Sequence, residues 1–575
     1  MKTIILFLIL FFAILISSSF GGYENKIITA DYTILPAKSI YLQGNNIHTV
    51  MRNDGIMNFD KSNPPHFNGG FFFGPGSVIF SSGIWIGAKV VLPGNQKELR
   101  LAASFYGTHF SPGNIPVMGA VPPVSVCNDS AFSGYLVSVT DQSLVNGGVR
   151  TKIAGGRTYT FVYTSWAAWP VNQGAPYVEV NGLPGYQPGW NSDRPGNGVN
   201  SSRPEDLMFS VYMNYTNCAN EPHDVELSLP GGSLPLGVEI QQVTYAYRLP
   251  GLLNSYFVTF KFINKSLLNW DSTFITLVND GDIGEGNDDA VGCDSSKNLA
   301  YTYNYDNIDN IYGQAPPAVG YKLVQGPVTY TGHNTDTAKF PCYDKTGYRM
   351  QKMTGHNRFI NGGNECTGDP DNFVNAYNFM KGKNGCGVDM INPVTGNLTK
   401  YVYNRSSCIE NANWFDSLEG DKRNLVNTGP FNMASGDTQI VTYIYSAERG
   451  NSNLTSICQL IDNLERAANY YYDCSGTIGI EPIGNILPQK YSLEQNYPNP
   501  FNPETAIKFS IPEKNFTSLR VYDILGKEIA VLVNEELSAG NYIINYNASD
   551  LPSGVYFYRL STDKYTDSKK MIVIK

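Results

Sequence analysis

The residues best suited to chemistry form an acidic stretch between positions 279 and 294, where carboxylates alternate with glycines. Calcium requires six to eight oxygen ligands on a flexible loop, and such a stretch can supply them. The EF-hand pattern is not met, because the sixth residue counted from Asp280 is Glu285 and the twelfth is Val291. The stretch therefore predicts either a calcium site of another class or a solvated acidic turn. The predicted calcium ligands are Asp280, Asp282, Asp288, Asp289 and Asp294, with Asp306 and Asp309 close downstream.

A second candidate site is a group of aromatic residues in a Gly- and Pro-rich stretch. Exposed indole and phenol rings stack on sugars because they are flat, apolar and rimmed by hydrogen-bonding groups. The alternative is that the rings are core residues beneath loops. The predicted glycan-stacking residues are Trp166, Trp169 and Trp190, with Tyr177 and Tyr186 nearby.

Enzyme motifs are mostly absent from the sequence. It contains no HExxH, no GxSxG and no phosphate-binding GxxxxGK[ST]. The six histidines form no pair at metal-ligand spacing, so surface or structural roles are expected for them. Glycoside hydrolysis needs only two carboxylates brought together by the fold, and 50 acidic residues offer many pairs. The sequence thus favours a non-catalytic protein, names no catalytic residue and leaves a hydrolase open.

The composition indicates a mainly β protein. Hydrophobic residues make up 42% and charged residues 16%, with 56 Gly, 38 Tyr and 29 Phe, a profile of pleated surfaces joined by turns. Short alternating stretches such as 158–163 and 256–262 recur between Gly, Pro and Asn clusters. We expect residues 22–474 to form a large multi-sheet extracellular region. The net charge of −9 and the lack of a basic stripe argue against nucleic acid as a partner.

One stretch near the end of this region has helical periodicity. Between Leu454 and Tyr472, apolar residues recur at helical spacing, and Thr455 or Ser456 can cap the start. A continuous helix would separate Cys458 from Cys474 by roughly 20 Å at 1.5 Å per residue. Since a disulfide requires Cα atoms within about 7 Å, these two cysteines should not pair.

The cysteines and the first residues indicate export. Nine cysteines are typical of a protein in an oxidising compartment. Four of them lie between 342 and 408, where we expect an insertion that disulfides hold together. Because the number is odd, at least one cysteine is unpaired within a single chain. Lys2 precedes an apolar run from Ile4 to Ile16 and then small residues, the order of a signal peptide, here residues 1–21. An uncleaved anchor is the alternative, but the run is shorter than the roughly 20 residues that span a bilayer.

The C-terminal part differs from the rest of the chain in its sequence pattern. Residues 475–490, rich in Gly and Pro, are expected to be a linker, and residues 491–575 contain six or seven short strands, as in an immunoglobulin-like β-sandwich. The motifs NYPNPFNPET, VYDILGKEIAVLV, SAGNYIINYNASDLPSGVYFYRL and KKMIVIK occur there in this order. Together they closely resemble the type A sorting domain of type IX secretion substrates.

The resemblance implies a route and a set of partners. It implies recognition of residues 491–575 by the type IX translocon after periplasmic folding, and removal of the domain by a sortase, with cleavage in the linker. The mature protein would then be secreted or attached to lipopolysaccharide at the outer cell surface.

For the function of the region before the sorting domain, three hypotheses remain. They are a non-catalytic structural or adhesive module, a carbohydrate-binding protein and a secreted glycan hydrolase.

Overall fold

The computed structural model describes most of residues 39–574. The gaps are 44–45, 61–67, 128, 140, 155–156, 179–186, 189–203, 216–229, 248–251, 342, 406–413, 417, 419, 473–489, 497–498, 503, 538–539 and 549–550. The predicted signal peptide (1–21) and nearly all of the predicted linker (475–490) lie outside the described residues. These two segments, and the domain boundaries that depend on them, stay predictions.

Strands dominate the described chain. Those of the main sheets are β1 (Ser39–Gln43), β2 (Ile47–Arg52), β3 (Phe71–Phe73), β4 (Gly76–Ile79), β5 (Ser81–Val91), β6 (Lys97–Ala103), β7 (Ser111–Pro112), β8 (Tyr135–Ser138), β9 (Asp206–Met213), β10 (Val238–Ala246), β11 (Ser255–Asn264), β12 (Trp270–Asp280), β13 (Asp289–Asp294), β14 (Leu299–Asn304), β15 (Ala318–Gln325), β16 (Gly355–Ile360), β17 (Lys422–Met433), β18 (Thr438–Glu448), β19 (Ser492–Leu493), β20 (Glu504–Ile511), β21 (Asn515–Tyr522), β22 (Glu528–Leu537), β23 (Gly540–Asn547), β24 (Gly554–Ser561) and β25 (Thr566–Val573). The helices are α1 (Val124–Cys127), α2 (Phe373–Met380) and α3 (Asn453–Tyr472).

Further short strands form antiparallel pairs outside these main sheets. They join Phe59–Asp60 to Asn68–Gly69, Asn146–Ala154 to Arg157–Ser165, Tyr177–Val178 to Gln187–Pro188, Ile308–Asp309 to Gly313–Gln314, Val328–Tyr330 to Tyr348–Met350, Thr337–Phe340 to Tyr343–Thr346, and Met390–Ile391 to Leu398–Thr399.

Two antiparallel sheets face each other in the region before residue 473. The front sheet has the order β16-β17-β12-β5-β6, and the central sheet has the order β8-β9-β10-β11-β18-β15-β14-β13 with β7 beside β9. A small sheet, β1-β2-β3-β4, adjoins them. Their shared core includes Ile86 and Leu277 of the front sheet and Val258 and Tyr443 of the central sheet.

The central sheet is buried on both faces. Along β18, Val441, Tyr443 and Tyr445 belong to the core shared with the front sheet, whereas Ile444 belongs to a second cluster on the opposite face. Helix α3 contributes Ile457 and other residues to that second cluster. A strand covered on both sides needs no polar residue at every second position. This burial explains why the central strands are apolar or uncharged along most of their length.

Helix α3 confirms the predicted helix near the end of this region. Its apolar stripe covers the central sheet and is buried at Ile457, Leu460, Leu464 and Tyr471. The predicted cap is wrong, however. The Ser452 hydroxyl accepts a hydrogen bond from Thr455 N at 3.1 Å, and Thr455 Oγ1 accepts one from Ser452 N at 2.7 Å. This reciprocal pair satisfies two of the free N–H groups at the helix start.

Helix α2 covers the other face of the front sheet. Tyr377 and Phe379 of the helix share a cluster with Trp85 and Leu425 of the sheet. The four layers are therefore α2, the front sheet, the central sheet and α3. A disulfide between Cys366 and Cys386, with Cα atoms 4.8 Å apart, joins the segments on either side of α2, as expected for the cysteine-rich insertion. Cys293 is a buried free thiol, and Cys458 is disulfide-bonded.

Buried polar side chains connect the two large sheets. Tyr445 Oη and Ser82 Oγ both donate to Asn279 Oδ1 at 2.9 Å. Asn58 Nδ2 donates to Ser82 Oγ at 2.9 Å, and Tyr256 Oη donates to Asn58 Oδ1 at 3.0 Å. Buried polar groups cost free energy unless they are paired, so this network fixes how the sheets face each other.

The C-terminal residues form two further antiparallel sheets, β19-β20-β23 and β22-β21-β24-β25. Both contribute to one hydrophobic cluster that extends from Leu493 to Val573. Strand β24 alternates between buried residues such as Tyr556 and Tyr558 and exposed ones such as Val555 and Phe557. The mainly β fold class is thereby confirmed, while the immunoglobulin-like topology of this unit stays a prediction.

Candidate metal centre and sorting domain

The register of the front sheet gathers carboxylates at one end. Strand β12 lies between β5 and β17, and its last residue, Asp280, pairs with Arg423 of β17. Asp421 immediately precedes β17, and Asp282 lies two residues beyond the end of β12. The cluster of Asp280, Asp282 and Asp421, which we call the acidic cluster, therefore arises from strand pairing between distant segments.

The three carboxylates of the acidic cluster are close together. One oxygen from each lies within 4.8 Å of the others. Asp280 is 2% exposed, whereas Asp282 and Asp421 are partly exposed. The cluster thus has a buried base and a side that solvent can reach.

One guanidinium lies against the acidic cluster. Arg423 Nη1 donates to Asp421 Oδ1 at 2.6 Å, and Arg423 Nε lies 3.6 Å from Asp280 Oδ1. Arg423 Nη2 also donates to Tyr106 Oη at 2.7 Å, and the Tyr106 hydroxyl in turn donates to Asp280 Oδ2. Two further carboxylates, Asp289 and Asp369, affect the same groups electrostatically.

The local electrostatics reflect an excess of negative charge. Burial, and then the charges of Asp421 and Asp369, raise the pKa of Asp280 to about 6, against the opposing effect of Arg423. Burial and the charges of Asp280 and Asp421 raise the pKa of Asp282 well above its usual value. Burial is also the largest cause of the raised pKa of Asp289. A carboxylate in a poorly solvated site shifts in this direction when too little positive charge is nearby.

Several buried carboxylate oxygens have no hydrogen-bond donor. Within the described part of the chain, Oδ1 of Asp280, of Asp288 and of Asp289 accepts no hydrogen bond. Asp289 is fully buried, and its other oxygen accepts from Ile283 N at 3.0 Å. Buried polar atoms are nearly always paired, so orphaned carboxylate oxygens call for a ligand or a proton.

The structure separates the predicted calcium ligands. Asp280 and Asp282 lie in the acidic cluster, and after burial the charge of Asp282 is the main cause of the raised pKa of Asp289. Asp294 lies at the far end of β13, about 17 Å from Asp289 at 3.4 Å per residue. It caps a 3-10 turn by accepting from Ser296 N at 3.0 Å. The predicted set of five ligands is therefore not brought together.

The other acidic residues near this stretch have separate roles. Asp288 is partly exposed, and its pKa is raised chiefly by burial. Asp309 accepts hydrogen bonds from Ile311 N at 2.8 Å and from Glu285 N at 3.2 Å, so its carboxylate stabilises the backbone of two turns. Asp306 is exposed and accepts from Ile308 N at 2.8 Å. Asp421, by contrast, joins the cluster without any signal in its own sequence neighbourhood.

The aromatic candidates lie in the core. Trp166 and Trp169 are 7% and 5% exposed in the cluster beside helix α3. Their indole nitrogens donate to Ser138 O at 2.9 Å and to Pro176 O at 2.7 Å. Rings buried in this way offer little surface to a sugar, which favours the core alternative for these two residues. Trp190 lies outside the described residues.

In the C-terminal unit, the first and last of its sequence motifs lie side by side. Phe501 N donates to Ile572 O at 3.0 Å, and Ile574 N donates to Phe501 O at 3.0 Å, so the proline-rich entry runs parallel to β25. Asn499 Oδ1 accepts from Ile572 N at 2.9 Å. Tyr558 Oη in β24 donates to Glu494 O at 2.7 Å. The motifs therefore specify one folded unit.

Residues 495–575 match the family model described as "Secretion system C-terminal sorting domain". The chain carries a type IX sorting domain. This match confirms the resemblance found in the motifs, and the protein is a type IX secretion substrate that is secreted or exported to the outer surface. The sorting domain implies interaction with the type IX secretion machinery. Among the described residues, no helix has the length and apolar character needed to cross a membrane.

Two of the solved structures to which the chain is similar resemble it only weakly. A polysaccharide lyase aligns with 75% of this chain at 8% identity and a TM-score of 0.19, and the chain spans only 39% of that lyase. The second structure is PorZ, described as an essential bacterial surface component of the type IX secretion system of human oral-microbiomic Porphyromonas gingivalis. The alignment covers 93% of this chain and 70% of the PorZ chain. Its identity is 10% and its TM-score 0.11. Scores this low support no argument about fold or function. No curated protein sequence matches the chain.

Proposed function

We propose that the region predicted as residues 22–474 is a non-catalytic structural or adhesive module that the sorting domain delivers to the outer cell surface. The observation that carries the proposal is the closed four-layer packing of this region. Strands β9, β10 and β15 are buried along their whole length, so the central sheet serves as an internal layer. A module built in this way presents its loops and sheet edges to its surroundings.

The buried histidines support a structural role. His48 is packed against Phe72, with ring centroids 4.6 Å apart, and burial lowers its pKa to about 3. His109 Nδ1 accepts from Ala103 N at 3.2 Å. Both ring nitrogens of His356 contact oxygen atoms of the core, at 2.7 and 2.8 Å. These rings hold the fold and are not placed to transfer protons to a substrate.

A carbohydrate-binding role and a glycan hydrolase are the alternatives. Stacking by Trp166 and Trp169 would require those rings to become exposed. Hydrolysis would require two accessible carboxylates that face one cleft. Asp280 does not fit this role, because it is 2% exposed and accepts a hydrogen bond from Tyr106. After export, the proposal includes removal of the sorting domain by the sortase, followed by release or attachment to lipopolysaccharide. Polysaccharide remains a partner only in the alternatives.

The test uses the mature protein isolated from producing cells. It is run in native gels containing a panel of polysaccharides, and the same mixtures are assayed for new reducing ends. In parallel, attachment and envelope integrity are compared between wild-type and deletion strains. We expect no new reducing ends and a defect in the deletion strain. New reducing ends would overturn the proposal, and retardation without a strain defect would replace it with the carbohydrate-binding alternative.

A further inference from the structure

We propose that Asp280, Asp282 and Asp421 bind one calcium ion at the end of the front sheet. This ligand set differs from the one that the sequence predicts, because it takes a ligand from the start of β17 and leaves out Asp294. Calcium binding is separate from the proposed surface role, and each can fail without the other.

The geometry of the acidic cluster fits calcium. Calcium–oxygen bonds are about 2.3–2.6 Å long, so two ligands on opposite sides of one ion lie about 4.8 Å apart. The three carboxylate oxygens lie within 4.8 Å of one another. An ion centred among the three oxygens would lie at most about 2.8 Å from each, close to the length of a calcium–oxygen bond.

A second observation points to a ligand independently of the clustering. The side chain of Asp280 belongs to the cluster and is 2% exposed. Its Oδ1 accepts no hydrogen bond from any of the described residues. Arg423 forms an ion pair with this oxygen, but the distance from Arg423 Nε is 3.6 Å, beyond hydrogen-bond length. A buried charged oxygen that lacks a donor is costly, and a cation would satisfy it.

Charge balance favours a divalent ion. The cluster has three carboxylates and one adjacent guanidinium, and Asp289 and Asp369 add to the negative charge. Arg423 is already engaged by Asp421 and Tyr106. A divalent cation at the partly exposed side would neutralise the remainder.

The donor set selects the kind of metal. All three ligands are carboxylate oxygens, which suit hard cations, whereas structural zinc sites use Cys and His. Calcium accepts irregular geometry and completes its shell with backbone carbonyls and water, while magnesium requires a near-ideal octahedron. Ligands that come from a strand end, a turn and the start of another strand suit the less demanding ion.

The turn between β12 and β13 brings Gly286 close to one of the proposed ligands. A Cβ on Gly286 would lie 2.5 Å from Asp282 Oδ1. A side chain at this position would displace the end of the Asp282 side chain, which belongs to the proposed site.

The experiment uses the full mature chain and terbium, a luminescent substitute for calcium. Tyr106 donates a hydrogen bond to Asp280, so it lies close enough to sensitise bound terbium. We expect tyrosine-sensitised luminescence that calcium displaces, and a melting temperature that calcium raises and chelator lowers. Asp282→Asn should weaken binding by about tenfold or more, because a charged ligand is lost. The matched control is Asp306→Asn, which changes an exposed carboxylate just downstream of the acidic stretch and should bind like wild type.

Several outcomes would overturn the inference. One is a wild-type protein that shows no terbium luminescence and whose melting temperature does not respond to calcium but rises on acidification. Protons instead of a metal ion would then satisfy the carboxylates. Another is equal binding by Asp282→Asn and wild type, which would place the ion elsewhere. If Asp282→Asn does not fold, the wild-type response to chelator decides alone.

Discussion

At the scale of single residues, burial decides what the ionisable side chains can do. His48 is stacked on Phe72 with an interplanar angle of 6° and lies 4.3 Å from the Tyr159 ring. Its pKa is lowered to about 3, chiefly by burial and secondarily by the charge of Lys152. The native state therefore holds this imidazole neutral over the whole range in which an exposed histidine would titrate.

This burial predicts a pH dependence of stability. The pKa of His48 is about 3 in the folded state and near its usual value of 6.5 in the unfolded state. The unfolded chain therefore takes up the proton first as the pH falls. The contribution of neutral His48 is complete above about pH 6.5 and is lost between there and pH 3. In His48→Phe, the slope of unfolding free energy against pH near pH 5 should be smaller by about 1.4 kcal/mol per pH unit.

Urea unfolding at a series of pH values measures this slope. The comparison uses slopes, so a change in packing by the larger ring does not affect it. Above pH 7.5 the wild-type and His48→Phe curves should run parallel. Equal slopes at pH 5 would show that His48 is protonated in the native state and would contradict the prediction.

The acidic residues show how far local sequence reasoning extends. Asp280 and Asp282 lie in one short stretch, and their composition alone indicates a candidate site. Asp421 reaches them through the pairing of β12 with β17, and no local pattern reveals which strands will be neighbours. Asp294 lies in the same stretch, but an extended strand carries it away from Asp289. Which carboxylates meet therefore could not be predicted.

At the scale of elements, periodicity was informative where one face is exposed. Helix α3 has a single buried stripe, and its pattern predicts it well. The strands of the C-terminal unit alternate in the same way. The central sheet lies between two layers, so its strands give little information about which residues face which partner. Its strand order depends on long-range pairing and could not be derived.

Two tyrosines of the central sheet test the polar link between the sheets. Tyr256 Oη donates to Asn58 Oδ1 at 3.0 Å, whereas the buried Tyr443 hydroxyl has no hydrogen-bond partner in the described part of the chain. Tyr256→Phe should lower the free energy of unfolding by about 1 kcal/mol, because a buried hydrogen bond is lost. Tyr443→Phe, the matched control, should be neutral or stabilising.

Denaturant unfolding of both variants provides the comparison. The two substitutions remove the same atom from the same sheet, so any difference reports the hydrogen bond. A cost in Tyr443→Phe as large as that in Tyr256→Phe would show that the Asn58 network does not stabilise the packing of the sheets.

At the scale of the whole molecule, the best-supported property is export. The sorting domain can be predicted from the sequence because its motifs are short, occur in order within one unit and resemble those of a known family. The contact of Phe501 with Ile572 shows why they occur together. The region before it has no comparable motif. Its role depends on surfaces formed by distant segments, which neither composition nor spacing reveals.

The measurement that tests the central claim most directly is the location of the protein in its producing bacterium after deletion of residues 491–575. A full-length chain with Asp306→Asn serves as the control, because it leaves the sorting domain intact. Cell fractionation and protease treatment of intact cells report the location. The account predicts that the control reaches the outer surface or the medium, while the truncated protein accumulates in the periplasm. Normal surface delivery of the truncated protein would contradict it.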